Sequence, residues 1–246
     1  MNYSIDINAD IGEHETDEID KLIMPYIASC NIACGGHFGD QDSVDRTMHL
    51  AIKNKVSIGA HPSFPDKENF GRKVFSIPHD VLLNSLVEQI SIIESSCKKN
   101  GVKMHHIKPH GALYNEGARN TELAEIICDA VLKANPKVPL YGLPNSYTEK
   151  IALKRGIPFI PEAFADRQYE RDGSLRSRSL DNAVLSPEEA IKQVKELVLH
   201  QRVKTPQWIS IKAKTICLHS DTKGSAALAK KIHETLVSNG ISICSV

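Results

Sequence analysis

The feature that most constrains the fold of this 246-residue chain is a regular alternation of short β-rich runs with longer amphipathic stretches. Alternation of this kind predicts a parallel sheet whose strands are joined by right-handed crossovers. The predicted strands cover residues 4–9, 27–33, 56–60, 104–108, 138–142, 158–161 and 215–219. The irregular stretches 62–76 and 164–185 are interpreted as long loops, because no Gly/Ser/Pro-rich linker divides the chain. We expect one domain over residues 1–246.

Helix signals separate these strands. Asp40 is a plausible N-cap for a helix whose apolar residues recur at a spacing of three and four, and a second helix covers residues 78–99. Further helices are predicted near residues 123–131, after Asn145, after the capping box that begins at Ser186, and before Asn239-Gly240.

A closed β/α barrel and an open doubly wound sheet share this pattern. A dinucleotide-binding open sheet carries Gly-x-Gly-x-x-Gly after its first strand, whereas this chain has Asp10-Ile11-Gly12-Glu13 there. No Walker-type phosphate loop occurs anywhere in the sequence. The sequence therefore favours a TIM-barrel-like (β/α) barrel of about seven strands.

Charge and hydropathy exclude some partners. Thirty Lys and Arg residues balance thirty Asp and Glu residues, so no bulk charge attracts nucleic acid or an anionic membrane. No apolar run approaches the ~18 residues that span a bilayer, and the N-terminus does not resemble a signal peptide. Six cysteines are too sparse for a disulfide scaffold. We expect a cytoplasmic protein with no nucleic-acid or membrane partner.

Side chains capable of chemistry gather where the predicted strands end. In a β/α barrel these ends share one face, which is where such folds place their active sites. The candidates are Asn8, Asp10 and Glu13 from the first strand, His37 and Asp40 from the second, His61 and Arg72 from the third, Lys108, His110 and Asn115 from the fourth, Glu162, Asp166 and Arg167 from the sixth, and His219 and Asp221 from the seventh. We expect them to form one site.

The sequence leaves open whether these candidate residues bind a metal ion. Cys30-x-x-x-Cys34-x-x-His37 superficially suggests zinc, but both cysteines are expected to pack as small hydrophobic residues. Asp10 with His61 and His110 would make a reasonable divalent-metal site. The alternative is that these histidines bind substrate or one another. The helix that begins after the loop 35–40 also offers free N–H groups to an anion.

The same motifs, taken in order, resemble the LamB/YcsF family. The matching blocks are Asn8-Ala9-Asp10-Ile11-Gly12-Glu13, Asn31-Ile32-Ala33-Cys34-Gly35, His37-x-Gly39-Asp40, Ile58-Gly59-Ala60-His61-Pro62-Ser63-Phe64-Pro65-Asp66, Phe70-Gly71-Arg72, Lys108-Pro109-His110-Gly111-Ala112-Leu113-Tyr114-Asn115, Phe164-Ala165-Asp166-Arg167-x-Tyr169 and His219-x-Asp221. The resemblance covers essentially the whole chain. This sequence departs from the family pattern at Gly36, usually aromatic, and at Ser220, commonly Gly.

The resemblance implies a seven-stranded β/α barrel related to the glycoside hydrolase/deacetylase architecture. Members of the family resemble the A subunit of the bacterial, ATP-dependent 5-oxoprolinase. The implied reaction converts 5-oxo-L-proline (pyroglutamate) to L-glutamate and hydrolyses ATP to ADP and phosphate. The resemblance also implies partner subunits B and C, and ATP with Mg²⁺ as co-substrate. No organic prosthetic group is expected.

This chemistry suits the candidate residues. Opening the lactam through a phosphorylated amide needs cations for phosphate, a base for water and a clamp for the substrate carboxylate. Catalytic candidates are Asp10, Glu13, His61, Lys108, His110 and Asp166, while Asn8, His37, Asp40, Arg72, Asn115, Glu162, Arg167, His219 and Asp221 are candidates for binding substrate or phosphate.

Two rival functions remain at the level of sequence. One is a metal-dependent deacetylase or amidohydrolase that acts alone through Asp10, His61 and His110. The other is a non-catalytic subunit whose barrel holds 5-oxoproline or ATP for catalytic partners. The sequence does not decide which of the subunits binds ATP, nor whether the chain forms a homo-oligomer.

Overall fold

The computed structural model describes residues 3–74, 76–222 and 224–246. The strands are β1 (Ser4–Ile11), β2 (Ser29–Ala33), β3 (Ser57–His61), β4 (His106–Ile107), β5 (Leu140–Gly142), β6 (Phe159–Phe164), β7 (Arg202–Lys204), β8 (Trp208–Ser210), β9 (Thr215–His219) and β10 (Ser242–Ile243). The helices are α1 (Glu18–Ile23), α2 (Gln41–Asn54), α3 (His79–Lys99), α4 (Gly111–Gly117), α5 (Thr121–Ala134), α6 (Tyr147–Lys154), α7 (Pro187–His200) and α8 (Ser225–Ser238), with a short 3-10 helix at Met24–Tyr26.

Among the described residues, seven parallel strands close into a barrel in the order β1, β2, β3, β4, β5, β6 and β9, and β9 pairs back with β1. The predicted seven-stranded barrel is confirmed, and every predicted strand overlaps one of these seven. The register sets Asp10 beside Asn31 of β2 and His219 of β9. The carboxyl ends of the strands therefore meet around Asp10, and they are called the upper end of the barrel below.

Strand β1 shows how the barrel separates its two faces. Ile7, Ala9 and Ile11 belong to the hydrophobic core beneath the helices. Asp6, Asn8 and Asp10 alternate with them and are also buried, but their partners lie on other strands across the barrel interior. The predicted common face of these three residues is confirmed.

The interior of this barrel is polar, whereas most barrels of this type fill theirs with branched apolar residues. Asn8 is typical, since its amide donates to Glu162 Oε1 at 2.9 Å and to Thr215 Oγ1 at 2.7 Å. Its carbonyl oxygen accepts from Asn31 at 2.7 Å. Buried polar groups need such partners, because an unsatisfied one costs about 1–3 kcal/mol. The interior network therefore links strands that are far apart in sequence.

The structure adds elements that the sequence pattern does not predict. They are α1, α4, the antiparallel pair β7–β8, and β10, which pairs with β1 outside the closed barrel. The two long loops are confirmed apart from Phe75, which lies outside the described residues, and neither contains a helix in its described part. No helix in the described ranges is long and apolar enough to cross a membrane.

Candidate active site

A cavity of about 510 Å³ lies at the upper end of the barrel. This volume is within the ~300–1,000 Å³ range of small-molecule sites. Nine of the candidate site residues line it: Asp10, Glu13, His61, Arg72, Lys108, His110, Asn115, Arg167 and His219. The strand ends thus bring these side chains to one place.

Lys108 lies at the bottom of the cavity and is almost completely buried. Its Nζ is 2.7 Å from Asp10 Oδ1, 3.2 Å from Glu162 Oε1 and 2.9 Å from Cys217 Sγ. Burial by itself would lower the pKa of this ammonium group, but the negative charge of Asp10 outweighs burial and raises the pKa well above its ordinary value. Lys108 is therefore a fixed cation that faces the cavity.

Asp10 is the matching anion. Burial would raise the pKa of its carboxyl group, but His61 and Lys108 outweigh burial and hold the pKa well below its ordinary value. Asn31 donates to Asp10 Oδ1 at 2.8 Å, and Asp10 Oδ2 is 3.4 Å from His61 Nε2. Asp10 thus orients Lys108 while remaining ionised.

A cluster of Glu13, His37, His61 and His110 forms one wall beside this ion pair. His37 Nε2 is 3.0 Å from Glu13 Oε1, and the His37 ring stacks on His110 with centroids 3.7 Å apart. Burial lowers the pKa of His37 to about 3 and also lowers that of His110. Burial of Glu13 would raise its pKa, but His110 and His37 beside it more than compensate and lower it. Within this wall, His37 and His110 are thus neutral imidazoles beside the ionised carboxylate of Glu13.

Asp166 and His219 form a second histidine–carboxylate pair. His219 Nδ1 lies 2.9 Å from Asp166 Oδ1, so it is Nδ1 that donates to the carboxylate. Burial would raise the pKa of Asp166, but the neighbouring His219 more than offsets it and lowers the pKa. The His219 ring lines the cavity and stacks on Phe164 with centroids 5.5 Å apart. Such a pair can accept and return a proton.

Arg167 supplies a buried positive charge at the mouth. Among the described residues, its guanidinium donates to two backbone carbonyls, those of Ala183 at 3.3 Å and Arg176 at 2.6 Å. Within the described residues, no carboxylate forms an ion pair with Arg167 within 4.0 Å. Burial and the nearby Arg178 lower its pKa to about 10, which leaves it charged at neutral pH. A buried cation of this kind is suited to bind an anion that enters the cavity.

Asp221 holds two further arginines at the rim. It forms ion pairs with Arg72 and with Arg178, the latter at 3.3 Å. Asp221 is itself outside the cavity lining, so its contribution is to orient these two cations. Arg72 belongs to the predicted site, whereas Arg178 is missed by the sequence analysis.

Four predicted site residues lie just beneath the lining. Asn8, His37, Glu162 and Asp166 are all buried, and they contact the lining residues Lys108, Glu13 and His219 instead of the cavity itself.

Asp40 does not join the other predicted residues. It is exposed, and its carboxylate accepts from the backbone N–H of Ser43 as the N-cap of α2, which confirms its predicted capping role. The expectation that this helix start offers its N–H groups to an anion needs correction. The chain's own Asp40 carboxylate already occupies that place.

Cys30 and Cys34 pack in the hydrophobic core as free thiols, as the sequence analysis expects. Burial raises the pKa of Cys34 to about 12, which disfavours the thiolate that binds zinc.

The structure shows why residue 36 is a glycine in this chain, where the family pattern usually has an aromatic residue. A Cβ atom there would lie 2.3 Å from Gln89 Oε1 and 2.4 Å from Ser63 Oγ. Gln89 accepts from the Ser63 N–H at 2.9 Å and donates to the Ser63 carbonyl at 3.0 Å. These two side chains occupy the space that a larger residue 36 would need.

Several residues that line the cavity are not among the site residues predicted from the sequence. Tyr114 lies within a quoted motif, and Arg176 and Arg178 lie in the long loop after β6. Both arginines line the cavity. No periodicity marks the loop arginines, because their orientation depends on how the loop folds over the barrel.

The fold and the cavity together define a class: a seven-stranded β/α-barrel protein with a charge-rich small-molecule site at the carboxyl ends of its strands. Comparison with known proteins refines this class. The LamB/YcsF family model matches residues 5–246. The chain therefore belongs to the LamB/YcsF family.

Relatives match over the full length. The A subunit of 5-oxoprolinase from Bacillus cereus is 42% identical over 250 aligned residues, which cover 98% of each chain. The A subunit of 5-oxoprolinase from Staphylococcus epidermidis is 41% identical over 252 aligned residues, which cover 100% of each chain. The crystal structure of the lactam utilization protein from Thermus thermophilus has a TM-score of 0.92 and 33% identity, and the match covers 99% of this chain and 100% of that one.

Proposed function

We propose that this chain is the A subunit of a 5-oxoprolinase and that its barrel cavity takes part in the ATP-dependent opening of 5-oxo-L-proline to L-glutamate. The observation that carries the proposal is the 42% identity over 98% of both chains with a relative that bears this name. The cavity supports it independently, because its charges suit a small anionic lactam.

Substrate recognition rests on Arg167 in this proposal. 5-Oxoproline carries one carboxylate at neutral pH, and an arginine that has no carboxylate partner in the described part of the chain is well suited to bind it in a bidentate manner. Arg72 and Arg178 add positive charge at the rim, where the more highly charged phosphates of ATP would approach. The lactam ring then lies deeper in the cavity, towards Lys108.

Ring opening places negative charge on the lactam oxygen. Lys108 is a preorganised cation at the bottom of the cavity, so it would stabilise this charge in either a phosphorylated or a tetrahedral species. His219, oriented by Asp166, would accept a proton from the attacking water and return it to the leaving nitrogen. Asp10 keeps Lys108 charged and fixed in position.

Mg²⁺ would enter this cavity with the phosphates of ATP. The acidic groups on the cavity wall already have partners: Lys108 pairs with Asp10, His37 contacts Glu13, and Arg119 pairs with Glu116. The described wall therefore does not fit an oxygen-rich Mg²⁺ site built from the chain's own carboxylates. No step in this proposal depends on such a site.

Partner subunits are part of the proposal. The relatives are named as one subunit of an enzyme, and we extend that name to this chain, with subunits B and C as its partners. The described residues contain no Walker-type loop, so the nucleotide would bind to the rim loops or between subunits.

The test is glutamate release from 5-oxoproline with ATP and Mg²⁺, measured first with this chain alone and then with candidate B and C subunits. We expect ATP-dependent glutamate only in the mixture. Asp10→Asn should abolish it while the chain stays folded, and Asp129→Asn, on a surface ion pair with Arg155, should not. Failure of every mixture to release glutamate, with folded and associated subunits, would refute the proposal.

A second candidate function draws on the Glu13, His61 and His110 wall. A metal-dependent amidohydrolase would use such a cluster, would act without ATP, and would need no partner. Hydrolysis of a small amide by the isolated chain, without nucleotide, would favour this candidate.

A further inference from the structure

In the neutral tautomers that their outer contacts select, the ring nitrogens of His61 and His110 that face each other both lack a proton. His61 Nδ1 lies 2.7 Å from the carbonyl oxygen of Lys108, and His110 Nε2 lies 3.0 Å from that of Phe70. A carbonyl oxygen only accepts hydrogen bonds, so each of these two nitrogens must carry the proton of its ring. In the neutral imidazoles, His61 Nε2 and His110 Nδ1 therefore each carry a lone pair in place of a proton.

These two lone pairs are only 3.0 Å apart. No hydrogen bond can join two acceptors, and the contact is repulsive unless a positive species lies between them. Both residues are buried, so water does not screen the repulsion. Glu13 Oε1 adds a third electron-rich atom, 3.3 Å from His110 Nδ1 and 3.7 Å from His61 Nε2.

The three atoms form a triangle of the size that a metal ion requires. A circle through points separated by 3.0, 3.3 and 3.7 Å has a radius of about 1.9 Å, so an ion slightly outside that plane lies about 2.0–2.1 Å from all three. This distance equals the usual bond length from Zn²⁺ to nitrogen or carboxylate oxygen.

We propose that Glu13, His61 and His110 form a binding site for a divalent transition-metal ion such as Zn²⁺. Two histidines and one carboxylate leave coordination positions open, and all three residues line the cavity, so those positions face the substrate space. The Asp10 carboxylate, 3.4 Å from His61 Nε2, adds a second negative charge nearby. This inference does not depend on the proposed function.

The surroundings also support the site. Backbone carbonyls fix both ligand rings by accepting from the nitrogens that point away from the ion, a common outer contact of metal-binding histidines. His37 Nε2 donates to Glu13, and its ring stacks flat on His110, which orients both ligands. His37 is thus a positioning residue and not one of the three ligands.

The experiment measures metal directly and does not use activity. The full-length chain, without an affinity tag, is purified without chelators and analysed by mass spectrometry for transition metals. The chelator-stripped chain is then titrated with Zn²⁺ and with Co²⁺, whose visible absorption reports nitrogen and oxygen ligands. We expect one equivalent per chain.

Ligand variants locate the site. Glu13→Gln keeps the volume of the side chain, and His61→Ala removes one nitrogen ligand. Each should weaken metal binding about 100-fold or more, since even outer contacts of metal ligands contribute about 10–100-fold. His233→Gln is the matched control, because that histidine is partly buried against Tyr26 and lies outside the cavity lining. It should bind metal as the wild type does.

Two results would overturn the inference. A wild-type chain that binds neither ion would show that a proton, shared between His61 and His110, relieves the repulsion instead. Wild-type affinity in a folded Glu13→Gln or His61→Ala variant would place the metal elsewhere. If His61→Ala fails to fold by circular dichroism, the wild-type stoichiometry and the isosteric Glu13→Gln variant still decide.

Discussion

Two carboxylates on the same strand, Asp6 and Asp10, show how position along the barrel axis determines the role of a side chain. Both are buried and both face the interior. Asp6, towards the lower end, accepts from three neutral hydroxyl groups, and burial raises its pKa to about 6. Asp10, at the cavity, faces Lys108 and His61, and its pKa is held well below the ordinary value.

The difference shows that burial does not by itself make a carboxylate functional. The hydroxyls of Ser29, Tyr141 and Thr215 satisfy the hydrogen-bonding capacity of Asp6 without introducing charge, so the lower network holds strands together. At the upper end the partner is a cation that also faces an open cavity. A carboxylate that fixes a cation beside a cavity prepares that cation for a ligand.

The largest effect should follow removal of the cation at the upper end. Lys108→Ala leaves Asp10 and Glu162 buried without their partner, which costs about 3–5 kcal/mol of unfolding free energy but leaves a folded chain. Loss of the cation that faces the lactam oxygen should reduce ATP-dependent glutamate release by about 10³-fold. The measurement is initial rate with the partner subunits, beside urea unfolding. Activity within tenfold of wild type would remove Lys108 from the mechanism.

A smaller effect should follow removal of the buried Arg167 guanidinium at the mouth of the cavity. Arg167→Met keeps much of the side-chain volume but not the charge, so KM for 5-oxoproline should rise about 10–100-fold while kcat changes little. Arg155→Met is the control, because Arg155 pairs with Glu125 and Asp129 on the surface. An unchanged KM would show that the substrate carboxylate binds elsewhere.

The smallest effect, and the one that tests the lower end, concerns Asp6→Asn. The folded chain keeps the Asp6 proton up to about pH 6, whereas the unfolded chain releases it near the ordinary 3.8. Ionisation therefore lowers wild-type stability as the pH rises through that interval, and asparagine cannot ionise. Relative to wild type, the unfolding free energy of the variant should rise by about 2 kcal/mol between pH 4.5 and 7.

Urea unfolding of both proteins at several pH values checks this expectation, and glutamate release at neutral pH should stay close to wild type. A difference in stability that does not vary with pH would contradict the raised pKa. If Asp6→Asn lost as much turnover as Lys108→Ala, the lower end of the barrel would matter for turnover as much as the upper end does.

The barrel strands are the part of the fold that the sequence predicts best. Their inner and outer faces alternate strictly, as Ile7 and Asn8 illustrate, and helices with clear caps such as Asp40 and Ser186 separate them. The missed helix α4 begins and ends with glycine, and Gly111 has a positive φ of 54°, so its sequence is typical of a turn. The missed pair β7–β8 is short and has Pro206 between its strands.

The sequence predicts the site as far as strand ends determine it. Residues such as Asp10, His61 and Lys108 follow from topology, because parallel strands bring their carboxyl ends together. The contact between His61 and His110 depends on which carbonyls their outer nitrogens meet, and no sequence pattern encodes that. The orientation of Arg178 depends in the same way on loop packing. Asp40 lies outside the site because its carboxylate caps helix α2.

The loop arginines have a consequence for how this protein can change over evolutionary time. Arg167, Arg176 and Arg178 come from one contiguous stretch between β6 and α7, whereas Lys108 and Asp10 belong to the barrel. Under the proposed function, selectivity for the ligand and the chemistry performed on it would thus be encoded in separable parts of the gene. A library confined to residues 167–185 would explore ligands of different charge and size while Asp166 and the interior network stay intact.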